Sequence, residues 1–239
     1  VMSTHETNPS TLSAPLTETG PGTLRRVVIV GGGAAGFFAA INAAENAKLN
    51  KTPIDVQILE ASSATLKKVS ISGGGRCNVT HNLFEVRAFC ERYPRGAKEL
   101  LSAFQRFQAR DTVEWFQKRG VTLVAEEDGR MFPDTNTSET IIECFQDSAA
   151  EAGVHVKLNH KVESIVKLEN GKFRITIRTG EILEADSVMI ATGSSAFGHK
   201  LAQDLGHHIT ELAPSLFSFK INDPLLADLS GLSFENAAV

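Results

Sequence analysis

The 239-residue sequence predicts an α/β protein with a parallel sheet at its centre and a small antiparallel β-layer beside it. Three observations carry this. Val27-Val28-Ile29-Val30 is a β-branched run too short for a helix and apolar on both sides, which suits a strand covered on both faces of a parallel sheet. A glycine-rich turn follows at once, and a helical stretch runs from Ala34 to about Leu49. Further on, Phe173, Ile175 and Ile177 alternate with polar neighbours, the period of a half-covered strand, and Asn170-Gly171 before them reads as a two-residue hairpin turn.

The turn after the first strand carries chemistry. Gly31, Gly33 and Gly36 have G-x-G-x-x-G spacing, in which the first glycine makes the tight turn, the second admits a pyrophosphate and the third lets helix pack on strand. Ala34 and Ala35 open the helix, where unpaired N–H groups and the positive end of the dipole favour an anion. A second strand, Ile54 to Leu59, ends at Glu60, placed where a carboxylate accepts both ribose hydroxyls of an adenosine. A carboxylate there disfavours a 2′-phosphate, which argues against NADP at this site. Strand, glycines, helix, strand and acid together point to a dinucleotide site far more strongly than the glycines alone.

Composition narrows the partners. Twenty-four basic residues face 28 acidic ones, net −4, with no basic run, so nucleic acid is not expected as a partner. No apolar run approaches eighteen residues, so no membrane span is expected. Cys77, Cys90 and Cys144 are odd in number and widely spaced, which points to a reducing, cytoplasmic setting and against a disulfide framework or a zinc site; no metal is expected. Residues 1–24 are rich in Ser, Thr and Pro and read as a disordered leader, with import into an organelle as the alternative. The composition leaves the oligomeric state open.

A second glycine loop follows Lys67-Lys68. Ser72-Gly73-Gly74-Gly75-Arg76-Cys77-Asn78 gives a backbone able to wrap an anion, and Arg76 adds a forked, permanently charged donor. Helices are then predicted between Gly96 and Arg119, a strand over Val121 to Val124, a hairpin through Asp128-Gly129 to Pro133, and a helix from Ser138-Glu139 to Gly153. Strands are predicted over Val154 to Leu158, Lys161 to Leu168 and Lys172 to Arg178. A late apolar strand, Ser187 to Ile190, closes in Ala191-Thr192-Gly193-Ser194, small residues at the end where an α/β sheet receives its ligand.

These features resemble the glutathione-reductase-type FAD fold, an FAD/NAD(P)-binding Rossmann-like domain. Three further strings, Ser72 through Thr80, Glu127-Asp128-Gly129-Arg130-Met131-Phe132-Pro133 and Ala213-Pro214-Ser215-Leu216, make the chain similar to the YhiN-like or BaiN-like flavoproteins of aminoacetone-oxidase type. The resemblance runs from about Arg25 to Val239. It implies that Gly31, Gly33 and Gly36 hold an FAD pyrophosphate and Glu60 the adenosine ribose. Lys68 and the loop of Ser72, Gly73, Gly74, Gly75, Arg76, Cys77 and Asn78 would line the flavin side. Val162 would meet the adenine through its backbone, and Thr192 and Gly193 would pass beneath the dinucleotide.

The sequence departs from the family in reading Ser194-Ser195-Ala196 after Gly193, where the family usually has a further glycine. The family also continues through an inserted domain and a segment that covers the flavin, so 25–214 is expected as the FAD-binding domain and 215–239 as the start of an incomplete second domain. The function expected is an FAD-dependent oxidoreductase, with NAD(P)H as candidate donor and an unassigned substrate. No pair of titratable residues stands out as acid and base, and no catalytic residue is named. The alternatives are a dinucleotide-binding module without turnover and an NAD-dependent dehydrogenase using the first motif.

Overall fold

The computed structural model of the chain describes residues 24–213 and Pro224. The expected leader and the expected start of a second domain lie outside the described residues. The chain divides into a unit ending at His207 and a second from His208 to Val239, of which only 208–213 and Pro224 are described.

The first unit begins as predicted: β1 (Arg25–Val30) and β2 (Ile54–Leu59), joined by α1 (Ala34–Leu49), pair in parallel, with Arg25 opposite Ile54 and Val30 opposite Leu59. Phe37, Ile41 and Ala44 recur along one face of α1, which buries them against the sheet. After the glycine loop come α2 (Lys67–Ile71), β3 (Thr80–His81), α3 (Val86–Cys90), α4 (Ala97–Phe104), α5 (Ala109–Gln117), β4 (Leu123–Ala125) and β5 (Arg130–Pro133). The chain returns through α6 (Glu139–Ala152), which packs beside α1 and stops at left-handed Gly153, into β6 (His155–Lys157). Then β7 (Val162–Lys167), β8 (Phe173–Ile177) and β9 (Ile182–Ala185) make an antiparallel sheet, and β10 (Ser187–Ile190) and α7 (Ala196–Asp204) complete the unit.

The parallel sheet has the order β10-β1-β2-β6, so β1 lies between the late strand and the second strand. Two cores flank it. Ile29, Val56 and Ile58 face α1, α5 and α6, while Val28, Val30 and Leu59 face the β7–β9 sheet and Leu201 of α7. That is why β1 is β-branched from Val27 to Val30: each fully buried aliphatic side chain contributes about 1.5–3 kcal/mol, and both faces of this part of the strand are covered.

Two details differ from the sequence expectation. Asn170-Gly171 does not make a two-residue turn; Gly171 N–H donates to Leu168 O (3.0 Å), Leu168 N–H to Lys172 O (2.8 Å), and Gly171 is left-handed, a three-residue loop with a bulge. Only Gly171 takes positive φ there, so the turn that needs it at both central residues does not form. The strand near Val121 starts at Leu123, because Val121 turns inward to the core with its N–H on Phe116 O.

Candidate dinucleotide site

The site lies at the carboxyl ends of β1, β2 and β10. Gly31 has φ +113° and donates to Leu59 O (2.9 Å); a Cβ on it would lie 2.6 Å from the carbonyl oxygen of Ala191. A Cβ on Gly36 would collide with the carbonyl oxygen of Gly31, so this glycine sets how closely α1 approaches the turn. Gly33 differs from both. It has ordinary φ (−90°), caps α1, and a Cβ there would meet nothing within 4 Å: its free side opens into the cleft. No side chain caps α1 and its first turn holds no acid, so the N–H groups at Ala34 and Ala35 and the positive dipole end are left for an anion.

Glu60 is held by three donors. Gly32 N–H reaches Oε2 (2.9 Å), and the N–H and hydroxyl of Ser62 reach Oε1 (2.8 and 2.7 Å). Burial works to raise the carboxyl's pKa, but the hydrogen bonds from Ser62 and Gly32 and the charge of Lys67 outweigh it and hold the group below the ordinary glutamate value. The carboxylate is therefore ionised and fixed toward the glycine turn.

A cleft of about 1290 Å³ runs past these residues, above the roughly 300–1,000 Å³ common for small-molecule sites and suited to an elongated ligand. Gly31, Gly33, Ala34, Ala35, Glu60, Lys68, Ser72, Cys77, Asn78, Val162, Thr192 and Gly193 all line it. Gly36, Gly73, Gly74, Gly75 and Arg76 do not. Lys68 crosses from α2 to donate to Ser194 Oγ (2.8 Å).

The second loop is a left-handed turn: Gly73, Gly74 and Gly75 have φ of 56°, 69° and 85°, and Cys77 N–H closes it on Ser72 O (3.0 Å). Cys77 is itself left-handed at φ 61°, a strained state for a residue with a side chain, and burial pushes its thiol pKa up. Arg76 points away from the cleft lining. Its guanidinium pairs with Glu126, donates through Nε to Asn136 Oδ1 (2.5 Å) and lies 4.0 Å over the Phe132 ring. The strings around Arg76 and Arg130 thus meet, Phe132 lying under both guanidinium groups.

Sequence reasoning passed over Phe38, Phe107, His160, Lys161 and Phe197, which also line the cleft. Phe38 and Phe107 sit in apolar stripes that read as core, and Phe197 stands on a helix with no motif. Among the described residues no group of His, Cys, Asp and Glu could hold a metal, and no helix is long and apolar enough to cross a membrane.

Residues 25–233 match the HI0933-like protein Rossmann domain. The chain belongs to this family, of the FAD-binding YhiN/BaiN type. It is 28% identical over 214 residues to a ribosomal RNA dihydrouridine synthase of Escherichia coli, covering 86% of this chain and 50% of that protein. It is 27% identical over 217 residues to a 3-dehydro-bile acid delta(4,6)-reductase of Clostridium scindens, covering 87% and 51%. The chain spans about half the length of these curated relatives. Among solved structures, a 3-ketosteroid-delta4-(5alpha)-dehydrogenase of Rhodococcus jostii aligns over 75% of this chain and 48% of its own, with TM-score 0.51 and 16% identity, which shows the fold. The residues present fit FAD, because the open side of Gly33, the uncapped start of α1 and the fixed Glu60 lie in one cleft.

Proposed function

We propose that this chain is the FAD-binding part of a flavin-dependent oxidoreductase, with NAD(P)H as electron donor. The single observation that carries the reading is Gly33, whose missing side chain leaves an opening onto the cleft at an uncapped helix start while Gly31 and Gly36 are filled in by packing. FAD, when bound, supplies the two-electron chemistry, and the protein binds, orients and shields it.

This chain's residues divide that work. The N–H groups at Gly33, Ala34 and Ala35 hold the pyrophosphate, Glu60 accepts the ribose hydroxyls, and Val162 meets the adenine through its backbone. Thr192 and Gly193 pass beneath the dinucleotide, and Lys68, Ser72, Cys77 and Asn78 line the flavin side. We assign Gly73, Gly74 and Gly75 and Arg76 to shaping that side from behind. The three free, buried cysteines support a reducing, cytoplasmic setting.

The relatives' names point to an RNA base in one case and a bile acid in the other, so the proposal commits to the cofactor and the donor and not to the acceptor. The test is the absorption spectrum of the purified protein before and after NADH or NADPH under anaerobic conditions. A flavin spectrum that bleaches with either donor supports the reading. A flavin that stays oxidised with both reduces it to a binding module without turnover, and NAD binding without flavin favours a dehydrogenase.

A further inference from the structure

We infer that Phe197, on the first turn of α7, is the base-recognition residue of the cleft: an aromatic platform on which a purine stacks, so that the site selects adenine dinucleotides. The inference rests on the cleft binding FAD and goes beyond it by naming what reads the base.

The position of the ribose end is fixed first. Glu60 N–H donates to Lys157 O (2.9 Å), His160 N–H to Glu60 O (2.8 Å) and Asn159 N–H to Ser62 O (3.0 Å). These bonds strap residues 157–160 onto the Glu60 loop, so His160, Lys161 and Val162 form the cleft wall immediately beyond the ribose carboxylate. Phe197 belongs to the same end, because the ammonium of Lys161 lies 5.7 Å from its ring centroid.

Core packing does not account for this side chain. The buried anchor of α7 is Leu201, 1% exposed, whereas Phe197 keeps 37% of its surface open and lines the cleft. The contact with Lys161 is at the far limit of a cation–π interaction and its stem is flexible, so the ring face is surrendered at little cost. Met189, Ile190 and Ala191 make the adjoining wall apolar. A flat heteroaromatic ring answers this chemistry, with its face on Phe197 and its polar edge toward the peptide groups of residues 160–162. A purine covers more of the phenyl ring than a pyrimidine does.

The test is calorimetric titration of the 239-residue chain with ADP and with UDP, which share ribose and diphosphate and differ in the base. Wild type is expected to prefer ADP. Phe197→Ala should weaken ADP about 5- to 150-fold, the span of one base–aromatic stack, and UDP by less. Phe197→Tyr should restore ADP binding. Circular dichroism checks the fold, and if the alanine variant does not fold, Phe197→Leu carries the same expectation with its aliphatic bulk kept. Wild-type ADP affinity in the folded variant, or equal binding of ADP and UDP by wild type, overturns the proposal alone. A wild-type chain that binds neither ADP nor FAD overturns the cofactor reading and this proposal with it.

Discussion

The two glycine loops look alike in sequence and differ in the folded chain. The first, Gly31 to Gly36, is pressed into the sheet at both ends and open in the middle. The second, Ser72 to Cys77, has three left-handed glycines that do not line the cleft, and its arginine is occupied by Glu126, Asn136 and Phe132. In one loop glycine leaves room for a ligand; in the other it permits a run of left-handed backbone that residues with side chains rarely adopt. Counting glycines cannot tell these uses apart, whereas the backbone does: Gly33 sits at an ordinary φ of −90° and Gly73, Gly74 and Gly75 are all left-handed.

Substitutions sharpen the contrast, and the largest effect belongs to the packed position. Gly36→Ala places a methyl group against the Gly31 carbonyl, a backbone atom that cannot swing aside, and should cost about 3 kcal/mol or more of stability. Thermal unfolding of the purified variant would show it; an unchanged midpoint would remove the packing role of Gly36.

Gly33→Val should do the opposite. Its side chain enters open space at an ordinary φ, so the fold survives while pyrophosphate binding is abolished. A soluble variant that keeps its FAD through desalting would contradict the placement of the cofactor.

Glu60→Ala comes next, with a roughly 10- to 150-fold weaker hold on FAD, the worth of a hydrogen bond to a charged group. A pH effect follows from the same carboxylate. Its folded pKa lies below the ordinary 4.5, so its contribution to stability is present above that value and is lost as pH falls through the folded pKa. Acid titrations of wild type and Glu60→Gln should therefore converge below about pH 4.5, with wild type the more stable above it; parallel curves throughout would mean that the carboxylate is not held as described.

The smallest effect is expected at Arg76→Lys. The charge survives but the fork that joins Glu126 and Asn136 does not, and a partly exposed pair of this kind is worth about 0.2–1 kcal/mol. If Arg76 acts through the loop shape, Glu126→Gln should shift the unfolding midpoint and FAD affinity by the same amount as Arg76→Lys. A large loss of FAD confined to Arg76→Lys would instead put the guanidinium on the cofactor.

Much of this molecule is set by local sequence. The β-branched run, the alanine-rich helix and the acid after the second strand fix β1, α1, β2 and Glu60, since each is written in contiguous residues whose periodicity and turn chemistry admit one local structure. Short pieces such as α2, β3 and β9 carry too few residues for a period and take shape only through their neighbours. Pairing of β1 with β10 joins residues 160 apart in sequence, and the bonds that hold residues 157–160 to the Glu60 loop join stretches about a hundred apart. Which glycine faces a ligand, where the Arg76 fork turns and which aromatic lines the cleft depend on those distant partners, and a side chain's direction relative to another segment is decided only when both are packed on the same sheet.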